Sequence, residues 1–233
     1  MTVVLPPNPA NLFDLSGEEI RAAYADAEVT VTFPELPPLV LPSNPGREGH
    51  WGIGVGIAKL NRADADPAVF VAGYTGGAHC CATLQIVSLV DGRPVVATLP
   101  RRDGDPMSEL PADIDGDGTV ELLWSDPSLL HVFASYAESW SVPRIYAIRD
   151  GKAVDVSREP RFGAIYRAFN DKTLKACRTQ DHGRKASCAA YAYGMVIAGR
   201  AEEGIRTAVQ SAEDTDEFEA DLRQLMQRHG YLP

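Results

Sequence analysis

The stretch Asp113-Ile-Asp-Gly-Asp-Gly-Thr-Val-Glu121 constrains this chain more than any other. Three aspartates at alternate positions place their carboxylates on one side of a tightly turning backbone. Gly118 permits the turn, Thr119 offers its carbonyl, and Glu121 closes the ring. Hard oxygen ligands crowded in this way suit Ca²⁺, so Asp113, Asp115, Asp117, Thr119 and Glu121 form the expected ligand set. A metal site of this kind holds a fold together. It says how the chain is built rather than what it acts on.

The register of the acids separates two kinds of calcium loop. An EF-hand requires a bidentate Glu at loop position 12 between two helices, and counting from Asp113 that position is Trp124. The EF-hand reading fails. The remaining pattern, Asp-x-Asp-x-Asp-Gly-x-x-Glu followed by the apolar run Leu122-Leu123-Trp124, resembles the calcium loops of FG-GAP and VCBS repeats, the blades of integrin-type β-propellers. The resemblance implies a loop joining two strands, with the five residues named above as ligands. One loop is too little for a closed propeller, which takes at least about four blades.

With 233 residues, 45% of them hydrophobic, the chain can bury a substantial core. No apolar run approaches the roughly 18 residues of a membrane span. Thirty-two acidic against 22 basic residues, a net charge of −10, argue against a nucleic-acid groove or an anionic membrane surface as partner. The opening Met1-Thr-Val-Val-Leu-Pro-Pro has neither the charged nor the apolar region of a signal peptide; a mature domain behind a new initiator Met would read the same. Four cysteines and a calcium loop favour an oxidising, calcium-rich compartment. The expected location is therefore periplasmic or secreted.

Along the chain, Ser16-Gly-Glu-Glu19 is a capping box that predicts a short helix with Ile20, Ala23, Tyr24 and Ala27 on its apolar face. Val29 to Phe33 reads as a strand. The Pro-rich run from Pro34 to Pro45 reads as an extended loop, since proline removes amide donors. His50 to Leu60 alternates glycine with bulky residues, giving a strand with one bare face that invites close approach of an aromatic ring or another backbone. It is not a dinucleotide fingerprint, because no helix follows and the third glycine comes one residue early. Ala68 to Tyr74 is a further strand. Asp91-Gly92 and Asp150-Gly151 lie between alternating runs, 85–96 and 144–155, and predict two type I′ hairpins.

After Arg161 the periodicity changes. Phe162, Ile165, Tyr166 and Phe169 recur at helical spacing. So do Cys188, Tyr191, Ala192, Met195 and Val196 behind a Ser187 cap, and Phe218, Leu222, Leu225, Met226 and His229 between Asp216 and Gly230. Three or four amphipathic helices are expected. The fold class is α+β: an N-terminal arm with a short helix over 1–28, an antiparallel β-rich calcium-loop domain with propeller-blade-like hairpins over 29–157, and a helical unit over 158–233. The polar connector between Cys177 and Cys188, about ten residues with Gly183 inside it, can bring adjacent helix ends together, so a Cys177–Cys188 disulfide is expected.

The second unusual stretch is Thr75-Gly-Gly-Ala-His79-Cys80-Cys81. Three readings stay open. His79 with a cysteine could hold zinc or copper, although neighbouring side chains on a strand point to opposite faces. Cys80 and Cys81 could form a vicinal disulfide, against the short Cα separation across one peptide. Otherwise the cysteines are buried or bridged elsewhere. Together with the calcium loop, Ser135-Tyr-Ala-Glu-Ser and the Asp-Gly hairpin, this stretch resembles a group of uncharacterised secreted bacterial proteins that often carry FG-GAP-like motifs. The resemblance implies export and a structural calcium loop, and it supplies no activity. His131, His182, His229 and Glu138 stand singly, with no Gly-x-Ser-x-Gly or His-Glu-x-x-His around them. The leading expectation is a non-catalytic, exported, Ca²⁺-stabilised protein that binds an envelope or extracellular macromolecule, with the surface near His79 as its working face. The alternative is a hydrolase or thiol-redox enzyme using His79 with Cys80 or Cys81.

Overall fold

A computed structural model describes residues 1–4, 28–42, 52–74, 81–104, 111–212 and 216–233. The expected capping-box helix at Ser16–Glu19 and the residues Thr75 to Cys80, His79 among them, lie outside the described residues. The chain separates into two compact units, each made of two stretches: Met1–Leu122 with Ala147–Val154, and Leu123–Tyr146 with Asp155–Pro233.

In the first unit, β1 (Thr2–Val4), β2 (Glu28–Thr32) and β3 (Leu39–Pro42) form an antiparallel sheet in the order β1-β2-β3. A second sheet is a meander of β4 (Gly52–Ala58), β5 (Ala68–Tyr74), β6 (Ala82–Val90) and β7 (Arg93–Thr98). Period-two alternation decides how the sheets meet. Val29, Val31 and Leu41 point from the first sheet onto Val69, Val71 and Val87 of the second, and all six are buried. Each such side chain contributes about 1.5 kcal/mol or more by leaving water. In β4, Gly56 is the register partner of Phe70 on β5.

The turns follow their sequence. Asp91 and Gly92 have φ of 49° and 71°, and Asp150 and Gly151 have 49° and 69°, the left-handed values that a type I′ turn needs at both central residues. The first turn joins β6 to β7. The second joins β9 (Val142–Arg149) to β10 (Lys152–Asp155), which with β8 (Glu121–Asp126) make a third sheet in the order β10-β9-β8. The division between the units falls inside these three strands. One expectation is overturned: the Pro-rich run is not wholly a loop. Leu39, Val40 and Leu41 keep their amides and lie opposite Val31, Thr30 and Val29 on an edge strand, with Pro42 at its end, where prolines are tolerated.

The second unit carries α1 (Gly163–Thr179), α2 (Arg184–Ile197), α3 (Ala201–Ala212) and α4 (Asp216–Arg228). Strands early in the chain and helices late in it make the class α+β. Every residue of α2 from Ala186 to Ile197 is buried, so this is a central helix rather than an amphipathic one. Its N-cap is Gly183, at φ 69°, and not the expected Ser187. Ser187 lies inside the helix, where its hydroxyl donates back to the carbonyl of Arg184 at 2.9 Å. Small residues let the helices approach closely: a Cβ on Gly194 would fall 2.0 Å from Asn170 Oδ1, and one on Gly204 2.4 Å from Met195 Cβ. Cys177 and Cys188 are disulfide-bonded, with Cα atoms 4.7 Å apart, which ties α1 to α2.

Tyr231 anchors the C-terminal segment. Its hydroxyl donates to Asp126 Oδ2 at 2.6 Å, and its carbonyl accepts from Arg158 at 3.1 Å. Its ring packs 4.4 Å from that of Tyr193, under the Arg144 guanidinium at 4.8 Å. Arg144 is in turn paired with Asp155. Among the described residues, no helix is long and apolar enough to cross a membrane.

Candidate metal centre

The acidic loop is closed at its base by Ala112 and Glu121, which exchange two backbone hydrogen bonds of 3.0 and 2.8 Å. Eight residues between such a pair must reverse direction sharply, and Gly116 and Gly118 do so at φ of 82° and 91°. The loop is also fastened sideways to the segment after β4. Arg62 N–H donates to the Gly118 carbonyl at 2.9 Å, and Val120 N–H donates to Leu60 at 2.7 Å. The Asn61 amide donates to Thr119 Oγ1 at 3.0 Å. Neither backbone bond uses the carbonyl of Thr119.

Within this frame the loop's own amides aim the aspartates. Asp117 N–H donates to Asp115 Oδ1 at 3.1 Å, Thr119 N–H to Asp117 Oδ1 at 2.7 Å, and Gly118 N–H to Asp113 Oδ2 at 3.1 Å. Each bond turns a carboxylate inward. One oxygen from each of Asp113, Asp115 and Asp117 then lies within 4.8 Å of the others, the only such grouping of three or more metal-capable side chains among the described residues. Glu121 stands outside that triad. Its carboxylate is fully buried, and Oε2 accepts from Ile114 N–H at 3.0 Å.

Electrostatics and burial bear on what the loop can hold. Three carboxylates at this spacing repel by about 1 kcal/mol per pair even in water, and by more where solvent is excluded. Arg62 donates to Asp113 Oδ2 at 3.0 Å from a side chain that is 79% exposed, so its neutralising effect is small. The other oxygen, Asp113 Oδ1, is buried with no hydrogen-bond partner. A buried carboxylate oxygen without a donor is costly. A divalent cation is the partner that this all-oxygen set fits.

Sequence reasoning found the triad but not its anchors. Asn61 and Arg62 lie 58 and 51 residues from their partners, and nothing local in Leu60-Asn-Arg-Ala-Asp marks them. Beside the loop, within the first unit, opens a cleft of about 500 Å³ lined in part by Asn61, Asp64, Thr119 and Asp150. Of the expected working surface, His79 and Cys80 lie outside the described residues, and Cys81, just before β6, is disulfide-bonded. Among the described residues the other histidines form no cluster: His131 stacks on Tyr136 at 5.3 Å, while His229 Nδ1 lies 3.2 Å from the Tyr193 hydroxyl.

No protein family matches the chain, and no solved structure does. Two relatives do. A probable thylakoid lumen protein of Synechocystis sp. is 34% identical over 160 residues, which cover 66% of this chain and 46% of that protein. A protein of Sinorhizobium fredii described as uncharacterized is 35% identical over 114 residues, 48% of this chain and 18% of that one. The chain thus spans less than half the length of these curated relatives.

Proposed function

We propose that this chain is an exported, non-catalytic binding protein whose FG-GAP-like loop is held in shape by Ca²⁺. The observation that carries the proposal is the convergence of Asp113, Asp115 and Asp117 within 4.8 Å around a buried, unsatisfied Asp113 oxygen. The three aspartates, the Thr119 carbonyl and Glu121 would hold the ion. Its chemistry there is to neutralise crowded carboxylates, which locks the loop to Leu60–Arg62. Export is supported by the thylakoid-lumen description of one relative and by the bridged cysteines, which persist in oxidising compartments.

Asn61 and Thr119 contribute both to the loop's fastening and to the wall of the adjacent cleft. The shape of that cleft would follow metal occupancy, which makes it a place for an envelope or extracellular ligand to bind. Calorimetric titration of chelator-treated protein with Ca²⁺ tests the proposal. One equivalent should bind the native protein and none the Asp113→Asn/Asp115→Asn variant. Equal heats for both proteins would overturn it.

A further inference from the structure

The second unit has a cleft of its own, about 480 Å³, between α1 and the C-terminal half of α2. That volume suits a small molecule. On α1 its lining residues are Tyr166, Arg167, Asn170, Asp171 and Leu174, a single helical stripe at i, i+1, i+4, i+5 and i+8. On α2 they include Tyr191 and Met195, which supply an apolar wall.

Most polar groups around this cleft are already committed. Arg200 is paired with Glu203, Arg161 holds Glu159, and the Tyr166 hydroxyl donates to the Pro143 carbonyl at 3.0 Å. Two charged groups are left over, and one buried acceptor is unsatisfied. Asn170 is 7% exposed, and its Oδ1 has no hydrogen-bond partner. Its carboxamide fits against the bare backbone of Gly194, so it is held in place by packing. Arg167 and Asp171 are exposed at the rim, one turn apart, and the structure shows neither in an ion pair. Arg167 also reaches back over the first turn of α1, with Nη1 3.3 Å from the Cβ position of Gly163. The helix dipole disfavours a cation there and favours an anion.

The unused charged groups are thus one cation at a helix N-terminus and one carboxylate a turn further on, beside an apolar wall. We infer that this cleft binds a small zwitterion with an apolar body, of the α-amino-acid class. The ligand carboxylate meets Arg167, its ammonium meets Asp171, and its side chain lies on Tyr191 and Met195. This inference stands on the second unit alone and is independent of calcium.

The test is calorimetric titration of the full chain, with calcium and with chelator, using L-leucine and L-phenylalanine as probes. Leucinamide lacks the carboxylate, N-acetyl-leucine lacks the ammonium, and inorganic phosphate is a plain anion. Saturable one-to-one binding of at least one amino acid is expected, weakened about tenfold or more by either modification, as charge-assisted hydrogen bonds require. Arg167→Ala should weaken binding by a similar factor without changing the melting temperature, since the residue is exposed. Asp171→Asn should weaken the amino acid but not N-acetyl-leucine. No saturable binding at millimolar amino acid, binding indifferent to Arg167→Ala, or phosphate binding as tightly as the amino acids would each overturn the inference. Failure here with calcium still bound leaves the metal loop standing, so the two readings fail separately.

Discussion

Arg62 Nη2 donates to Asp113 Oδ2 at 3.0 Å, joining two stretches 51 residues apart and placing an exposed cation beside three carboxylates. An exposed pair of this kind contributes about 0.2–1 kcal/mol. It also opposes a divalent ion approaching the same oxygen. Arg62→Ala is therefore expected to lower the stability of the metal-free protein slightly and to tighten Ca²⁺ binding a few-fold. Parallel melts and titrations measure both signs, and weaker binding in the variant would show that Arg62 orders the loop rather than competes with the ion.

The contact between Gly194 and Asn170 predicts a packing failure. A Cβ on Gly194 would lie 2.0 Å from Asn170 Oδ1 and 2.9 Å from Phe169 Cδ1. Gly194→Ala should destabilise the protein by about 1–3 kcal/mol, the usual cost of overpacking, even though alanine is the better helix former. Urea unfolding gives the value, and an unchanged midpoint would mean that α1 and α2 can separate without cost.

The Cys177–Cys188 bridge closes a sequence separation of 11 residues. In the chain-entropy account a loop of that size is worth about 3 kcal/mol. Replacing both cysteines by alanine should lower unfolding stability by about that amount or somewhat less. A peptide map of the non-reduced protein should show the two residues linked.

Alkaline pH should weaken the second unit. Burial, reinforced by the Asp126 charge, pushes the Tyr231 and Tyr193 hydroxyls well above the ordinary phenol range, and burial raises Tyr166 to about 12. A folded-state pKa above the unfolded one means that the native protein holds the proton more tightly. Stability is then fully present below about pH 10 and falls as pH rises beyond it. Ionisation of these three buried tyrosines should appear together with the loss of helix rather than before it. Tyr231→Phe keeps the ring stack but leaves Asp126 without the hydroxyl, so a loss of about 1–3 kcal/mol is expected at neutral pH.

Local chemistry made parts of this fold legible. Asp91-Gly92 and Asp150-Gly151 announced their hairpins because positive φ at two successive residues leaves few alternatives. The aspartate spacing announced the triad for a similar reason. Elements set by tertiary contact were not legible. Leu39–Pro42 looks like a loop until β2 supplies partners for its remaining amides. Ser187 looks like a cap because the surrounding helix is alanine-rich, and burial on all sides erases the amphipathic pattern that would have marked Gly183 as the start. The anchors Asn61 and Arg62 and the cleft along α1 depend on residues far apart in sequence or on which polar groups remain unpaired, and neither leaves a local signature.

Whether a cation organises the Asp113–Glu121 loop is decided by thermal unfolding with calcium and with chelator. Calcium at about 100 times its dissociation constant should add about 2.7 kcal/mol and raise the melting temperature by roughly 5–10 °C. Asp115→Ala should lose most of that rise and keep both hairpins. Superimposable melts with calcium and with chelator would contradict the account.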